Sequence, residues 1–433
     1  MNYNDLKDYI NSDKIDDLLS KIKGTNDLSK EKERYISLLN EAYKRFGDGD
    51  YHLISSPGRT EIGGNHTDHQ HGHTLSAAIN YDNICVVKAN DNNECIFIDP
   101  KFDDCVVDIN SLAVVDSEKN TSKSLIRGIA NKLNELGYKI GGFSAMCDSE
   151  VAIGSGISSS ACFEMMVVEI FNCLFNDCQI TPVDRAVIGQ YAENVYFGKA
   201  SGLLDQASIS VGGFVAMDFN DPKAPVIENY EFDFADYGYE LILVNTKGDH
   251  ADLSDEYSAV PGEMKDVAKL LNCNVLRDGD PDFFFSHIKE LREEVKNDRS
   301  ILRSFHFYTE DKRAVLEKEA VENKDIDSLL DLINRSGRSS YMYLQNVYPS
   351  SMPKNQPLSI AIAMSDYILG HKGAYRVHGG GFGGTIQAVV PKELVNDYKM
   401  VLSSVFDKDS IMELVVRPFA IARLKQANPD EKM

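Results

Sequence analysis

Three runs of residues have the composition that ligand chemistry asks of a backbone. The first is Gly154, Ser155, Gly156, Ile157, Ser158, Ser159 and Ser160, directly before an apolar segment at 163–175 that reads as a helix. Small residues let the chain turn tightly, and a helix start points free N–H groups outward, which favours a phosphate. The hydroxyls can donate to phosphate oxygens or ligate Mg2+, while the plainer reading is a serine-rich helix cap. The second run is Gly379, Gly380, Gly381, Phe382, Gly383 and Gly384. Its spacing suits a dinucleotide fingerprint, but that fingerprint must open a helix, and residues 385–390 read as a strand. The dinucleotide reading therefore fails. No Gly-x-x-x-x-Gly-Lys-Ser/Thr motif occurs either, so the chain is no P-loop enzyme.

The third run extends from Pro57, Gly58 and Arg59 to His73 and holds four of the ten histidines, at 66, 69, 71 and 73, beside Asp68. On an extended segment His69, His71 and His73 would share one face, so a metal site has to be weighed. Zinc usually draws ligands from more than one segment, and no His-Glu-x-x-His helix is present. A metal hydrolase is the weaker reading.

These loops need elements to hold them. Residues 2–45 have apolar positions at helical spacing, 84–98 look like a hairpin with an Asn/Asp turn, and 122–136 and 183–198 read as helices. Strands are expected at 141–147, 214–217, 240–245, 376–378 and 385–390, with largely helical chain over 262–347. A polar, turn-forming stretch at 220–224 puts a domain boundary near 235. The 433 residues carry 45 Lys+Arg against 67 Asp+Glu, a net charge of −22. That excess argues against nucleic acid and anionic membranes, which are gripped by clustered cations, but leaves room for one small phosphate ligand. The eight cysteines include no Cys-x-x-Cys pair, the N-terminus is polar and acidic, and no apolar run approaches about 20 residues. A cytoplasmic protein is expected.

Together and in this order, the motifs resemble those of the GHMP small-molecule kinases, most closely the galactokinases. Ser55 to Arg59, then His66, Thr67 and Asp68, then Gly72, Ala78 and Ile79 are similar to the sugar-binding signature. Gly154 to Ala161 with Glu164 resembles the phosphate-binding motif, and 377–384 the glycine-rich third motif. Ala192 and Glu193, then Gly202 to Gln206, match the segment carrying a magnesium-ligand Glu and a catalytic Asp. Residues 245–257 resemble the one supplying a sugar-contacting Tyr.

The resemblance implies an α+β, two-domain GHMP-kinase fold with the active site in the interdomain cleft. It divides the chain into a helical extension (1–45), an N-terminal kinase domain (46–235) and a C-terminal one (236–433). It implies an ATP- and Mg2+-dependent kinase of a sugar anomeric hydroxyl, acting as a monomer or weak homo-oligomer on small molecules alone. Asp205 is then the general base and Arg59 its partner. Gly154, Ser155, Gly156, Ser158, Ser159 and Ser160 hold the ATP phosphates, and Ser160 and Glu193 the metal. Asn65, His66, Asp68 and Tyr257 contact sugar, while Gly379, Gly380, Gly381, Gly383 and Gly384 form the third motif.

Two positions depart from the pattern. Asn65 stands where galactokinases usually carry Glu, and His69 where they usually carry Tyr. The usual Glu is expected near the C6 hydroxyl, so Asn65 removes a negative charge there. The run Asp68, His69, Gln70 is similar to one in plant galacturonate kinases. A sugar altered at C6 is thus an alternative substrate to galactose, and a non-catalytic sugar sensor is the alternative of another class.

Overall fold

The computed structural model describes residues 1–152, 154, 156–199, 201–248 and 253–424. Its first sheet contains β1 (His52–Gly63), β2 (His73–Ala89), β3 (Glu94–Ile98), β4 (Cys105–Asp108), β5 (Phe143–Ser149), β6 (Phe214–Asp218) and β7 (Val226–Tyr230). The second contains β8 (Tyr239–Asn245), β9 (Ala374–Val377), β10 (Thr385–Pro391) and β11 (Ile411–Leu414). A last short strand, β12 (Ala422–Arg423), returns to the first. The strand orders are β12-β1-β2-β5-β3-β4, with β6 and β7 added beyond β2, and β11-β8-β10-β9.

The expected hairpin at 84–98 does not form. Its two arms, β2 and β3, are held apart by β5, which pairs antiparallel with β2 and parallel with β3. The turn is wedged open rather than closed: the Asn90 N–H donates to Gly142 O at 2.9 Å, and its side-chain amide donates to Glu94 O and Ser144 Oγ, each at 3.1 Å.

The strands of the first sheet alternate their side chains between two faces, and both faces are covered. On one lie α4 (Ser122–Glu135), α5 (Ser159–Phe175), α6 (Pro182–Tyr191) and α7 (Leu204–Val211), around a core that includes Cys85, Val87 and Ala145. Helix α5 is apolar around most of its circumference and is accordingly buried, with Met165, Met166, Val168 and Phe171 at 0% exposure. On the other face the alternate residues Ile84, Val86 and Met146 meet α1 (Tyr3–Asn11), α2 (Asp16–Lys23) and α3 (Ser29–Phe46) through Ile10, Leu19, Ile22, Tyr35 and Leu39. The second sheet is covered by α12 (Ile326–Ser339), α13 (Pro357–Leu369) and α14 (Val395–Phe406). Before these, α8 (Ser254–Leu270), α9 (Pro281–Ser286), α10 (Ile288–Val295) and α11 (Asp298–Glu322) pack together around Met264, Leu276 and Phe307. Among the described residues no helix is long and apolar enough to cross a membrane.

A buried charge cluster fastens the N-terminal helices to the sheet. Asp82, at 0% exposure, accepts from Lys23 Nζ (2.9 Å), Arg34 Nη1 (2.8 Å) and Ser55 Oγ (2.6 Å). Burial works to raise its pKa, but Lys23, Arg34 and the buried Arg417 outweigh burial and hold it below the usual carboxylate range. The stabilisation is therefore present above an unfolded carboxylate pKa of about 4 and is lost as pH falls through the folded value. Asp82→Asn leaves three cations without their shared anion, at a cost of about 3–5 kcal/mol. Denaturant unfolding at pH 7 should show that loss, and the penalty should shrink toward pH 3.

Arg417 belongs to the chain's return from the second sheet to the first. Its guanidinium donates to Ser55 Oγ at 2.7 Å and Ser55 O at 3.2 Å, just before β12 pairs with β1.

Candidate active site

Strand β1 delivers the first motif with two irregularities in its register against β2, between Pro57 and Arg59 and between Glu61 and Gly63. Such bulges bend a strand and re-aim its side chains. The Arg59 N–H donates to Ile157 O at 3.2 Å, which brings β1 against the serine loop. Its guanidinium then spans two elements, with Nε donating to Asp205 Oδ1 and Nη1 to Gly156 O, both at 2.7 Å. Gly156 has φ +79°, and a Cβ there would stand 2.6 Å from Thr385 Oγ1, so both conformation and space call for glycine.

Ser158 closes the constellation. It precedes α5 in the left-handed region (φ +63°), and its hydroxyl donates to Asp205 Oδ2 at 2.5 Å instead of capping its own helix. Strain of this kind in a non-glycine residue persists where surrounding contacts over-determine it. Asp205 sits in the first turn of α7, whose N-terminus favours negative charge. Burial acts to raise its pKa, but the Arg59 guanidinium and the Ser158 hydroxyl prevail, and the carboxyl lies below its ordinary range. Asp205 is ionised at neutral pH. Ser155, from the same loop, lies outside the described residues.

Glu193 stands in a π-turn, Ala192–Phe197, that continues α6. Its side chain is 3% exposed and surrounded by donors. Oε1 accepts from Ser160 Oγ (3.2 Å) and Lys199 Nζ (2.9 Å), and Oε2 from Ser201 Oγ (2.5 Å) and Gln206 Nε2 (3.0 Å). The same Gln206 amide donates to Glu164 Oε2 at 2.8 Å. Burial first, and then the Glu193 charge, push the pKa of the Glu164 carboxyl well up. Lys199 belongs to none of the sequence motifs, and its signal in the sequence is its place between the two acids Glu193 and Asp205, in a loop of small residues.

The histidine run does not stay extended. Asp68–Gln70 forms a 3-10 turn, which sets the His66 and His69 rings 5.6 Å apart and sends His73 to other partners. His66 Nε2 pairs with Gly380 O at 3.0 Å, the half-buried His69 has its Nδ1 3.3 Å from Gln70 Nε2, and His73 Nδ1 pairs with Asp311 Oδ1 at 3.0 Å beside Arg277. Among the described residues, the group of three His, Cys or acidic side chains close enough to share a metal is Glu169, Cys173 and Cys178, not this run. Asp68 lies against the loop before α7, where a Cβ on Gly202 would stand 2.4 Å from its Oδ2. Burial raises its pKa against the opposing pull of His66, with Glu61 and Asp205 adding to the rise.

Asn65 is 1% exposed, and its amide is fully engaged within the protein. Nδ2 donates to Glu61 Oε1 (2.9 Å) and Gly379 O (2.7 Å), while Oδ1 accepts from Asn346 Nδ2 (2.9 Å) and Ser340 Oγ (3.2 Å). Two donors and two lone pairs exhaust an asparagine. The negative charge absent at 65 is found four residues upstream, on Glu61, where Arg376 Nη2 reaches Oε1 at 3.0 Å.

The third motif closes over these groups. His378 Nε2 accepts from the Glu61 N–H at 3.0 Å and lies 3.0 Å from Thr60 Oγ1, tying β1 to the chain just after β9. Gly384 O accepts from Thr246 N (2.7 Å) and Oγ1 (2.8 Å), and Tyr257, on α8, donates its hydroxyl to Gly381 O at 3.0 Å. A cavity of about 400 Å3 is lined by Arg59, Gly154, Gly156, Ser158, Ser159, Ser160, Lys199, Asp205, Tyr257, His378, Gly379, Gly380, Gly381, Gly383, Gly384 and Thr385. Asn65, His66, Asp68 and Glu193 stand behind or beside this lining. A second cavity, of about 640 Å3 and lined by Tyr237, Asn334, Arg338 and Lys372 among others, contains no residue of the three motifs.

The chain is similar to known proteins in sequence and fold. Residues 43–89 match the galactokinase galactose-binding signature, and 124–213 match the GHMP kinases N-terminal domain. Galactokinase of Glaesserella parasuis serovar 5 is 26% identical over 375 residues, covering 85% of this chain and 92% of that protein. Galactokinase of Clostridium tetani is 25% identical over 376 residues, covering 86% and 92%. Among solved structures, Lactococcus lactis galactokinase complexed with galactose superposes with a TM-score of 0.77 at 22% identity, over 90% of this chain and all of that one. Methanococcus jannaschii mevalonate kinase gives a TM-score of 0.60 at 16% identity, over 85% and 99%.

The α+β fold, with its two sheets, is that of the GHMP kinases, and over 43–89 and 124–213 the chain carries the galactose-binding signature and the N-terminal domain pattern of those enzymes. It is a galactokinase-like phosphotransferase.

Proposed function

We propose that this chain is an ATP-dependent sugar 1-kinase that converts D-galactose and ATP into galactose 1-phosphate and ADP. The observation that carries this reading is the triad of Arg59, Ser158 and Asp205, drawn from three elements into one cavity beneath a glycine-rich loop. Phosphoryl transfer asks a protein mainly for alignment and charge stabilisation. A carboxylate held as low as Asp205 is a weak base, which suits a loose transition state in which the hydroxyl proton leaves late. Arg59 keeps that carboxylate ionised and stands where charge develops. The serine loop and the start of α5 offer N–H and O–H donors to the phosphates.

Glu193 and Ser160 are the groups to hold Mg2+. Both are hard oxygen donors, 3.2 Å apart, and this donor chemistry fits the ion. Mg2+ bound there supplies positive charge to the nucleotide phosphates. Lys199, on the same carboxylate oxygen, is a second cation within reach of the cavity and is assigned to the phosphates. Lys199→Met should lower kcat/KM for ATP by about ten- to a hundredfold, the weight of one charged hydrogen bond, in an ADP-release assay.

His66, Asp68 and Tyr257 are the sugar-contacting candidates, and Asn65 acts by fixing the loop that carries two of them. A C6-carboxylate sugar is the second reading, favoured by the uncharged amide at 65 and the neutralisation of Glu61 by Arg376. Initial rates with galactose, galacturonate, N-acetylgalactosamine and arabinose decide between them. Galactose is expected to turn over fastest; galacturonate ahead of galactose reverses the assignment, and ATP and sugar binding without turnover leaves the sensor. The reading carries with it a cytoplasmic site of action, Mg2+ dependence and kinase halves at 46–235 and 236–433.

A further inference from the structure

At the end of α5 remote from the serine loop, two thiols face each other. Cys178 Sγ donates to Cys173 Sγ at 3.2 Å, and Cys173 Sγ donates in turn to Glu169 Oε1 at 3.0 Å. The backbone holds this pairing in place. The chain leaves α5 and doubles back, so that the Cys178 N–H donates to Asn172 O at 3.0 Å, with Asp177 (φ +50°) and Cys178 (φ +57°) both in the left-handed region. Cys173 is 7% exposed, whereas Cys178 is open to solvent. An accessible thiol, a buried partner at its side and a carboxylate to receive the partner's proton are the parts of a reactive dithiol.

The geometry points to Cys173 and Cys178 as an oxidisable pair that closes to an intrachain disulfide under hydroperoxide. The Cys178 sulfur attacks the O–O bond, retains one oxygen as a sulfenic acid and releases the other as water. The Cys173 sulfur then attacks Cys178, the S–O bond breaks, and the departing hydroxide takes the Cys173 proton by way of Glu169 as a second water. Two thiols and one hydrogen peroxide give one disulfide and two waters. The order follows from access: Cys173 is shielded, and the Cys178 sulfur together with burial keeps its thiol protonated.

A metal is the competing use of the same three side chains, whose ligand atoms lie within 4.8 Å of one another. The Arg185 guanidinium argues against it, because Arg185 Nη1 is already bonded to Glu169 Oε2 in a buried pair. A divalent cation would have to share that carboxylate with a fixed positive charge.

The test uses the full chain, reduced, desalted and exposed to hydrogen peroxide while folded, then alkylated after denaturation. Peptide masses should show the segment holding Cys173 and Cys178 short of two hydrogens and unalkylated, with both thiols restored by dithiothreitol. Cys178→Ser should leave Cys173 alkylatable, while Cys273→Ser should leave the cross-link unchanged. Circular dichroism confirms that each variant is folded. The proposal is overturned if both cysteines stay alkylatable in wild type, or if Cys178 proceeds to sulfinic acid with Cys173 untouched. Stoichiometric zinc that shields both thiols before peroxide is added also overturns it.

Discussion

Asp205→Asn should lower kcat by about a thousandfold, within the 10²–10⁴ range of a positioned general base, and change KM for sugar little. The amide oxygen can still accept from Arg59, which reaches Oδ1 at 2.7 Å, and the Ser158 hydroxyl, 2.5 Å from Oδ2, can rotate to accept from the new NH2, so the fold and the site geometry are retained. In the proposed mechanism, what is lost is the atom that takes the sugar proton. The pH profile carries a second signature. Asp205 is held below the ordinary carboxylate range, so wild-type activity needs the ionised form and falls as pH drops through that depressed value. The variant should lose this acid limb. Steady-state ADP release across pH, with a melting curve for each protein, checks both parts; undiminished turnover removes Asp205 from the mechanism.

The second large effect is on the fold, at Asn65. The Asn65 amide gives its two N–H groups to Glu61 Oε1 and Gly379 O, at 2.9 and 2.7 Å. Asn65→Glu, which restores the residue usual in galactokinases, replaces both donors by lone pairs and sets two carboxylates together at a buried site. One of them must then be protonated, or the loop must move. The expected cost is about 2–4 kcal/mol. Glu61→Gln in the same chain supplies an amide donor to the new carboxylate and should recover more than half of that loss. Denaturant unfolding of the four proteins of this double-mutant cycle measures the coupling. Additive losses would mean that the two residues do not act as a pair.

This pairing also shows where sequence reading stops. The chemistry-bearing loops are legible because glycine, serine and histidine cluster locally in Gly154–Ser160, Gly379–Gly384 and 57–73. Helix α5 is legible because its apolar residues are continuous. The placement of Glu61 against Asn65 and Arg376 is not, since Arg376 lies more than three hundred residues away in sequence. The separation of β2 from β3 by β5 is hidden for the same reason: the turn residues at 90–93 suit a hairpin, and only the distant Gly142 and Ser144 open it. His69, His71 and His73 read as a face only on an extended chain, and the 3-10 turn at Asp68–Gln70 breaks that alternation. The net charge of −22 gives no hint that Lys23, Arg34 and Arg417 converge on one buried Asp82.

The central claim is that the anomeric oxygen of a sugar receives the γ-phosphate of ATP. Phosphorus and proton NMR of a galactose reaction run to completion tests it most directly. One sugar phosphate should appear per ADP, with its phosphorus coupled to the anomeric proton, and Asp205→Asn should yield none on the same timescale. ADP accompanied only by inorganic phosphate, or phosphate coupled to the C6 protons, would contradict the account.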